Sequence, residues 1–224
     1  VKIGDKVTGI TTAAQAYPAK NVIVAAGAYS LQLLQAVGLQ IPLYFTHAEI
    51  IETGPLDFEV QAFVMPATNA RIVIENKATE LGEWQRPNHQ VMPPILESGI
   101  VQFQNKTARI GQISRFHTAF APPVAAEVSE AKMRQAIEQR LPALKRIPGH
   151  WRHCLVTFSQ DGLPLLGPVP GTKGLHLFSG FTSPFALVPP VAQHYAQYLT
   201  SSPDALLDKQ ADRWIEQMFV TRLQ

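Results

Sequence analysis

Among the side chains of this 224-residue sequence, seven histidines and one cysteine are the first candidates for chemistry. Only His150, His153 and Cys154 stand close together. Three metal-type ligands in one short stretch, with no second cluster to complete a shell, predict no metal centre. His47 and Glu49 share one face of a strand by period two. They either line a site or belong to a half-exposed polar strand face. A third candidate is a loop. Gly180-Phe181-Thr182-Ser183-Pro184-Phe185 follows the strand-like Leu175-His176-Leu177-Phe178, and a helix comes next whose first turn is expected to hold Pro189 and Pro190. A strand that delivers a small-residue loop onto a helix N-terminus aims bare amides and the positive dipole end at an electron-rich group. An ordinary strand-loop-helix connection has the same spacing, so both readings stand on spacing alone. No Gly-x-Ser-x-Gly elbow, Walker loop or His-Glu-x-x-His is present.

The elements that must position these groups are of two kinds. Val1 to Thr12 reads as a hairpin turning at Gly4-Asp5. Val22-Ile23-Val24-Ala25-Ala26-Gly27 is a continuous apolar run, as in a buried parallel strand, and ends in small residues. Those residues mark either a close approach to a ligand or a tight corner before the short helix at Ser30 to Leu34. From Leu43 to Gln112 the pattern is that of strands: 47–53, 62–65, 70–75, 99–104 and 107–113. This predicts a mostly antiparallel sheet, with an irregular excursion over 81–94 and a hairpin turn at Asn105-Lys106. Ser129 is expected to cap a helix with Met133, Ile137 and Leu141 on one face. Trp151 to Ser159 reads as a strand, the turn at Asp161-Gly162 follows, and Ser202-Pro203-Asp204 reads as the cap of a last helix.

Composition narrows the class. Nineteen basic against seventeen acidic residues give a net charge of only +2, and no basic cluster sits among aromatics, which argues against nucleic acid as partner. One cysteine excludes an internal disulfide framework. The apolar runs are short and broken by Gly or Pro, so no membrane span is expected. Without a signal-like leader the reading is a cytoplasmic protein, and a chain that opens at Val1 on a strand-like run reads as cut or processed.

Two stretches resemble one family. Asn21-Val22-Ile23-Val24-Ala25-Ala26-Gly27-Ala28-Tyr29-Ser30 is similar to the "VVVAAGAWS" segment of the D-amino-acid oxidase, glycine oxidase and sarcosine oxidase family of FAD-dependent oxidoreductases. Asp161 to Gly171 and Gly174 to Gly180 resemble its "DGLPxIGPVPG" and "GLYxATG". The resemblance implies an α/β (α+β) fold, in which part of an FAD-binding Rossmann-like domain (1–42 and 148–200) is interleaved with an antiparallel-sheet substrate domain (43–147), followed by a C-terminal helix in 201–224. It implies that Ala26 and Gly27 sit near the adenosine end of FAD, and that the loop of Gly180, Phe181, Thr182, Ser183, Pro184 and Phe185 lies against the flavin ring. The implied reaction is oxidation of a C–N bond of an amino acid or amine by hydride transfer to flavin.

The departures are as specific as the matches. The Gly-x-Gly-x-x-Gly turn on which pyrophosphate binding depends is absent from this sequence. The chain alone is therefore expected to hold FAD poorly, and an N-terminal half or a partner subunit is expected to complete the site. The alternative is a flavin-free binding or assembly subunit that keeps the fold, and self-association stays open. Where the family carries a substrate-binding Arg, this chain has Val156. Cys154 to Asp161 resembles the "CMYTxTPD" of sarcosine oxidase-like enzymes, whose Cys is linked covalently to flavin; a small buried Cys is the other reading. Arg109-Ile110-Gly111 resembles the "KLG" whose Lys promotes reaction with oxygen, so Arg109 is one candidate catalytic residue; His47, on the strand face it shares with Glu49, is the other.

Overall fold

A computed structural model describes residues 1–80, 82–182, 184–200 and 209–223. The expected cap at Ser202-Pro203-Asp204 and the loop residue Ser183 lie outside them. In chain order the elements are β1 (Lys2–Ile3), β2 (Lys6–Val7), β3 (Gly9–Thr11), β4 (Ala16–Pro18), β5 (Val22–Val24), α1 (Tyr29–Gln35) and β6 (Leu43–Thr53). Then come α2 (Ala70–Glu80), β7 (Gln90–Gln102), β8 (Ala108–His117), α3 (Ala126–Glu138), β9 (Gly149–Ser159), β10 (Leu165–Pro168), β11 (Leu175–Ser179), α4 (Pro184–Thr200) and α5 (Lys209–Gln217). The result is a mixed α/β protein in two compact units, Val1–Tyr44 with Val156–Gln224, and Phe45–Leu155.

The first unit is built on a three-stranded sheet in the order β10-β11-β5, with β5 parallel and β10 antiparallel to β11. Leu34, Leu43, Leu165, Leu175, Leu177 and Val220 form its core. A second cluster gathers Leu166, Phe181, Val191, Tyr195 and Ile215. The hairpin at Gly4-Asp5 forms as expected. The run 22–27 is shorter as a strand than its composition implied: β5 stops at Val24 and Ile23 is half exposed, because β5 is the edge of its sheet. In α4, Pro184 rather than the Pro189-Pro190 pair occupies the first position, so both later prolines lie inside the helix.

The second unit carries a four-stranded antiparallel sheet in the order β7-β8-β6-β9. Ile51, Ile100, Ile110 and Ile113 meet Met133 and Ile137 of α3 in one core, and Ala78 of α2 meets Val91 and Phe116 in another. Four expectations fail here. Residues 70–75 begin a helix, not a strand. Glu75 and Ala78 are buried with Arg71 and Ile74 half-buried, a helical spacing, while Ile72 and Val73 point to solvent. Residues 62–65 contribute only a single bridge, Val64 to Ile100. The excursion over 81–94 ends early, since Pro93 and Pro94 belong to β7. They fall where its register against β8 shifts, between Met92 and Ile95, on an edge strand that tolerates missing donors. Ser129 does not cap α3, which starts three residues before it; it is fully buried and accepts a bond from Arg115 Nη2 at 3.0 Å.

Candidate cofactor-binding site

In the first unit, Leu175 and Leu177 of β11 lie opposite Val22 and Val24 of β5. Beyond this parallel pair Ala25, Ala26 and Gly27 are exposed. Gly27 has φ +55°, and a Cβ built there would have nothing within 4 Å. The corner is fixed from behind: Ser179 Oγ donates to Gly27 O at 3.0 Å, and Ala26 N–H donates to Ser30 Oγ at 3.1 Å. The bare backbone therefore keeps one shape without any side chain in front of it. From β11 the chain turns at Gly180 (φ +79°), where a Cβ would press to 3.2 Å from Leu165 N. Phe181 folds back into the core against Phe178, ring centres 4.8 Å apart. Thr182 is half-buried, and Pro184 and Phe185 open α4 in solvent, with Phe185 97% exposed. No acidic residue stands in the first turn.

One residue of this unit escaped the reading of the sequence. Arg222 holds Asp161 through two bonds, Nε to Oδ2 at 2.7 Å and Nη2 to Oδ1 at 2.8 Å. It also donates to the carbonyls of Leu163, Pro164 and Met218. Arg222, with help from Ser159 and the Leu163 amide, keeps the Asp161 carboxyl at about 2. Its 61-residue separation from Asp161 leaves no local signal to find it by.

In the second unit β6 is regular, and the extra residue of the β6–β8 ladder, Gln112, is on β8. His47, Glu49 and Ile51 therefore share one face of the sheet, and Ala48, Ile50 and Glu52 share the other. Arg109 belongs to the Glu52 side. Its Nη2 is 3.3 Å from Glu52 Oε1, its guanidinium lies 5.1 Å over the Phe103 ring, and Arg152 Nε approaches the other oxygen of Glu52 at 3.6 Å. Glu52, Phe103, Thr107, Arg109 and His150 line an open cleft of about 1050 Å³. Cys154 is exposed rather than buried. Partial desolvation of the sulfur pushes its thiol up, and the charge of Arg109 works against that.

His47 and Arg109 are not brought together. His47 is 1% exposed with Nε2 2.8 Å from Ala119 O, and burial lowers its pKa. Glu49, also 1% exposed, accepts from Arg115 Nε and from Trp151 Nε1 at 2.9 Å. The half-exposed polar strand face expected for this pair is thus a buried one. Trp151 and His153 face Glu49 and His47, which sends His150 and Cys154 to the opposite side. Among the described residues no three His, Cys, Asp or Glu side chains are grouped to hold a metal.

Residues 1–198 match the family model described as "DAO: FAD dependent oxidoreductase". The chain belongs to this family. It is 26% identical over 200 residues to glycine oxidase from Pseudomonas putida, covering 88% of the chain and 46% of that enzyme. Among solved structures, glycine oxidase from Geobacillus kaustophilus superposes with a TM-score of 0.63 at 19% identity, over 89% of this chain and 48% of that one. L-proline dehydrogenase from P. horikoshii gives 0.65 at 14% identity, over 100% of this chain and 52% of that one. At these identities the structural likeness is one of fold. The chain spans about half the length of the curated relatives it matches. The family implies FAD, and the residues present fit part of such a group: an open glycine corner beyond a parallel strand pair, and a first helical turn free of carboxylates. Among the described residues no helix is long and apolar enough to cross a membrane.

Proposed function

We propose that this chain is the C-terminal part of an FAD-dependent enzyme that oxidises a C–N bond of an amino acid or of a secondary or tertiary amine. The observation that carries the reading is the end of the β5–β11 pair. Exposed Ala26 and Gly27 lie just past the carboxyl ends of these parallel strands, the position at which α/β proteins hold ligands. FAD, when bound, supplies the two-electron acceptor for a C–H bond next to nitrogen.

The chain's own residues bind and orient. Ala26 and Gly27 admit the adenosine end because no side chain stands in the way. The turn at Gly180 with Phe181 and Thr182, and Pro184 and Phe185 at the start of α4, present the helix N-terminus to the ring, and its amides favour negative charge. In this reading the first unit holds FAD and the second holds a small amine or amino-acid substrate. Arg109 offers a fixed positive charge on the open sheet face and acts electrostatically, since a guanidinium does not give up its proton. Cys154 is an accessible point for a covalent tether to the cofactor. His47 is buried on the other face of that sheet, apart from Arg109. An N-terminal half or partner subunit supplies the phosphate-binding turn, a reading supported by relatives about twice as long.

The test is to titrate FAD into the purified chain, alone and together with the N-terminal half, and follow quenching of flavin fluorescence. The chain alone should quench weakly and the combination strongly, with ammonia or amine released from an oxidised substrate. Denatured protein that stays yellow, with the colour lost in Cys154→Ser, would identify the tether. A combination that never takes up FAD would sink the enzyme reading and leave a flavin-free binding or assembly role.

A further inference from the structure

The segment that leaves β8 is held at one residue, Ala119, by two imidazoles. Ala119 N–H donates to His117 Nδ1 at 2.9 Å, and Ala119 O lies 2.8 Å from His47 Nε2. A backbone amide only donates, so His117 Nδ1 carries a lone pair; a carbonyl only accepts, so His47 Nε2 carries a hydrogen. The two bonds respond differently to acid. A proton added to His47 leaves Nε2–H in place, whereas a proton added to His117 puts a second donor opposite the Ala119 amide. The neighbouring residues join the same grip: Thr118 N donates to His89 O at 2.9 Å, and Phe120 stacks on Phe45 with centroids 4.7 Å apart.

We propose that His47 and His117 form an acid-released clasp, in which proton uptake at His117 Nδ1 breaks its bond from Ala119 and loosens residues 118–125 from the sheet. The surroundings favour release. The rings of His117 and His153 lie 6.4 and 6.3 Å from that of His47, and His89 faces His117 from the start of β7. Charge on His153 or His117 opposes proton uptake at His47, and charge on His89 opposes it at His117. The nearby acids compensate only in part: Glu49, whose charge favours a protonated His47, is already engaged by Arg115 and Trp151, and Glu83 by Arg86 at 2.6 Å and His89 at 3.0 Å. Burial depresses both His47 and His117 below the ordinary histidine value of 6.5. The folded state then binds protons less readily than the unfolded chain, so the clasp's stability is complete above 6.5 and is lost as pH falls through the depressed values.

The experiment is hydrogen exchange of the Ala119 amide in the full chain, corrected for the intrinsic pH dependence of exchange, from about pH 7.5 to about pH 5. Protection is expected to fall at least about tenfold across that range. In His117→Gln the amide oxygen can accept the same N–H without titrating, so protection should stay flat. Nitrogen chemical shifts of His117 in the unmodified chain should show an unprotonated Nδ1 at the upper pH, becoming protonated in step with the loss of protection. Protection that does not change with pH, or that falls equally in His117→Gln, overturns the clasp. So does a His117 Nδ1 that is already protonated at the upper pH.

Discussion

The turn at Asp161, the most recognisable stretch of the sequence, is held in shape by a residue the sequence does not associate with it. Arg222 spends every donor on Asp161 and the carbonyls around it, so truncating it removes the exposed pair with Asp161 together with half-buried bonds to Pro164 O and Met218 O. Arg222→Ala should lower stability by about 1–3 kcal/mol at neutral pH, measured by urea denaturation. The pH dependence identifies the partner. Asp161 is depressed from 3.8 to about 2, so its contribution is present above the ordinary carboxylate value and disappears as pH falls through about 2. The gap between the two proteins should therefore narrow between about pH 4 and about pH 2. A gap that keeps its size there would mean that Arg222 acts through its packing and its carbonyl bonds rather than through Asp161. The side chains that failed to meet, His47 and Arg109, teach the complementary lesson: strand alternation was legible, but the face each strand turns to the core was not. A bulge at Gln112 shifts β8 by one residue without leaving any mark in its composition.

At the scale of elements, period and punctuation decided what could be read. β6, β9 and the hairpin turn at Asn105-Lys106 were legible because alternation and turn residues agree there. α2 was not, because Ile72, Val73 and Ile74 in a row look like a strand, and only the burial of Glu75 and Ala78 reveals the helical period. Prolines misled twice, in β7 and in α4, where tertiary packing outweighs their local preference. α4 shows what that costs. Pro189 and Pro190 have no N–H, so the carbonyls of Phe185 and Ala186, four residues back, receive no helical bond from them. Pro190 is exposed and touches no core, so Pro190→Ala should restore a bond to Ala186. An interior proline costs about 3 kcal/mol, and its stiffening of the unfolded chain returns about 1, leaving a gain of about 2 kcal/mol. Thermal unfolding monitored by circular dichroism reads it as a higher Tm. An unchanged or lower Tm would show that the helix is curved by its neighbours and that the prolines fit that curve.

For the molecule as a whole, the family-level outline was legible because it rests on two long stretches whose residue types are dictated by backbone constraints: small residues beyond a parallel strand, glycines at positive φ in the turns at 162, 171, 174 and 180. What surrounds those stretches is less specified, since many side chains satisfy a sheet face equally well. One consequence concerns the first unit by itself. Its sheet ends at β5, a parallel strand whose outer edge pairs with no strand among the described residues, and Ile23 there is 48% exposed, with Ile10, Tyr17, Tyr29 and Leu33 also in solvent. An open edge beside exposed apolar side chains is a template for further strands. The purified chain should therefore self-associate as concentration rises, and Ile23→Lys should suppress that association by placing a charge on the edge, as natural edge strands do. Sedimentation velocity over a concentration series separates the outcomes. If the unmodified chain stays monomeric at the highest concentration reached, the β5 edge is not adhesive. If both proteins associate alike, the contact lies elsewhere on the surface. If only the lysine variant stays monomeric, the β5 edge is what drives self-association.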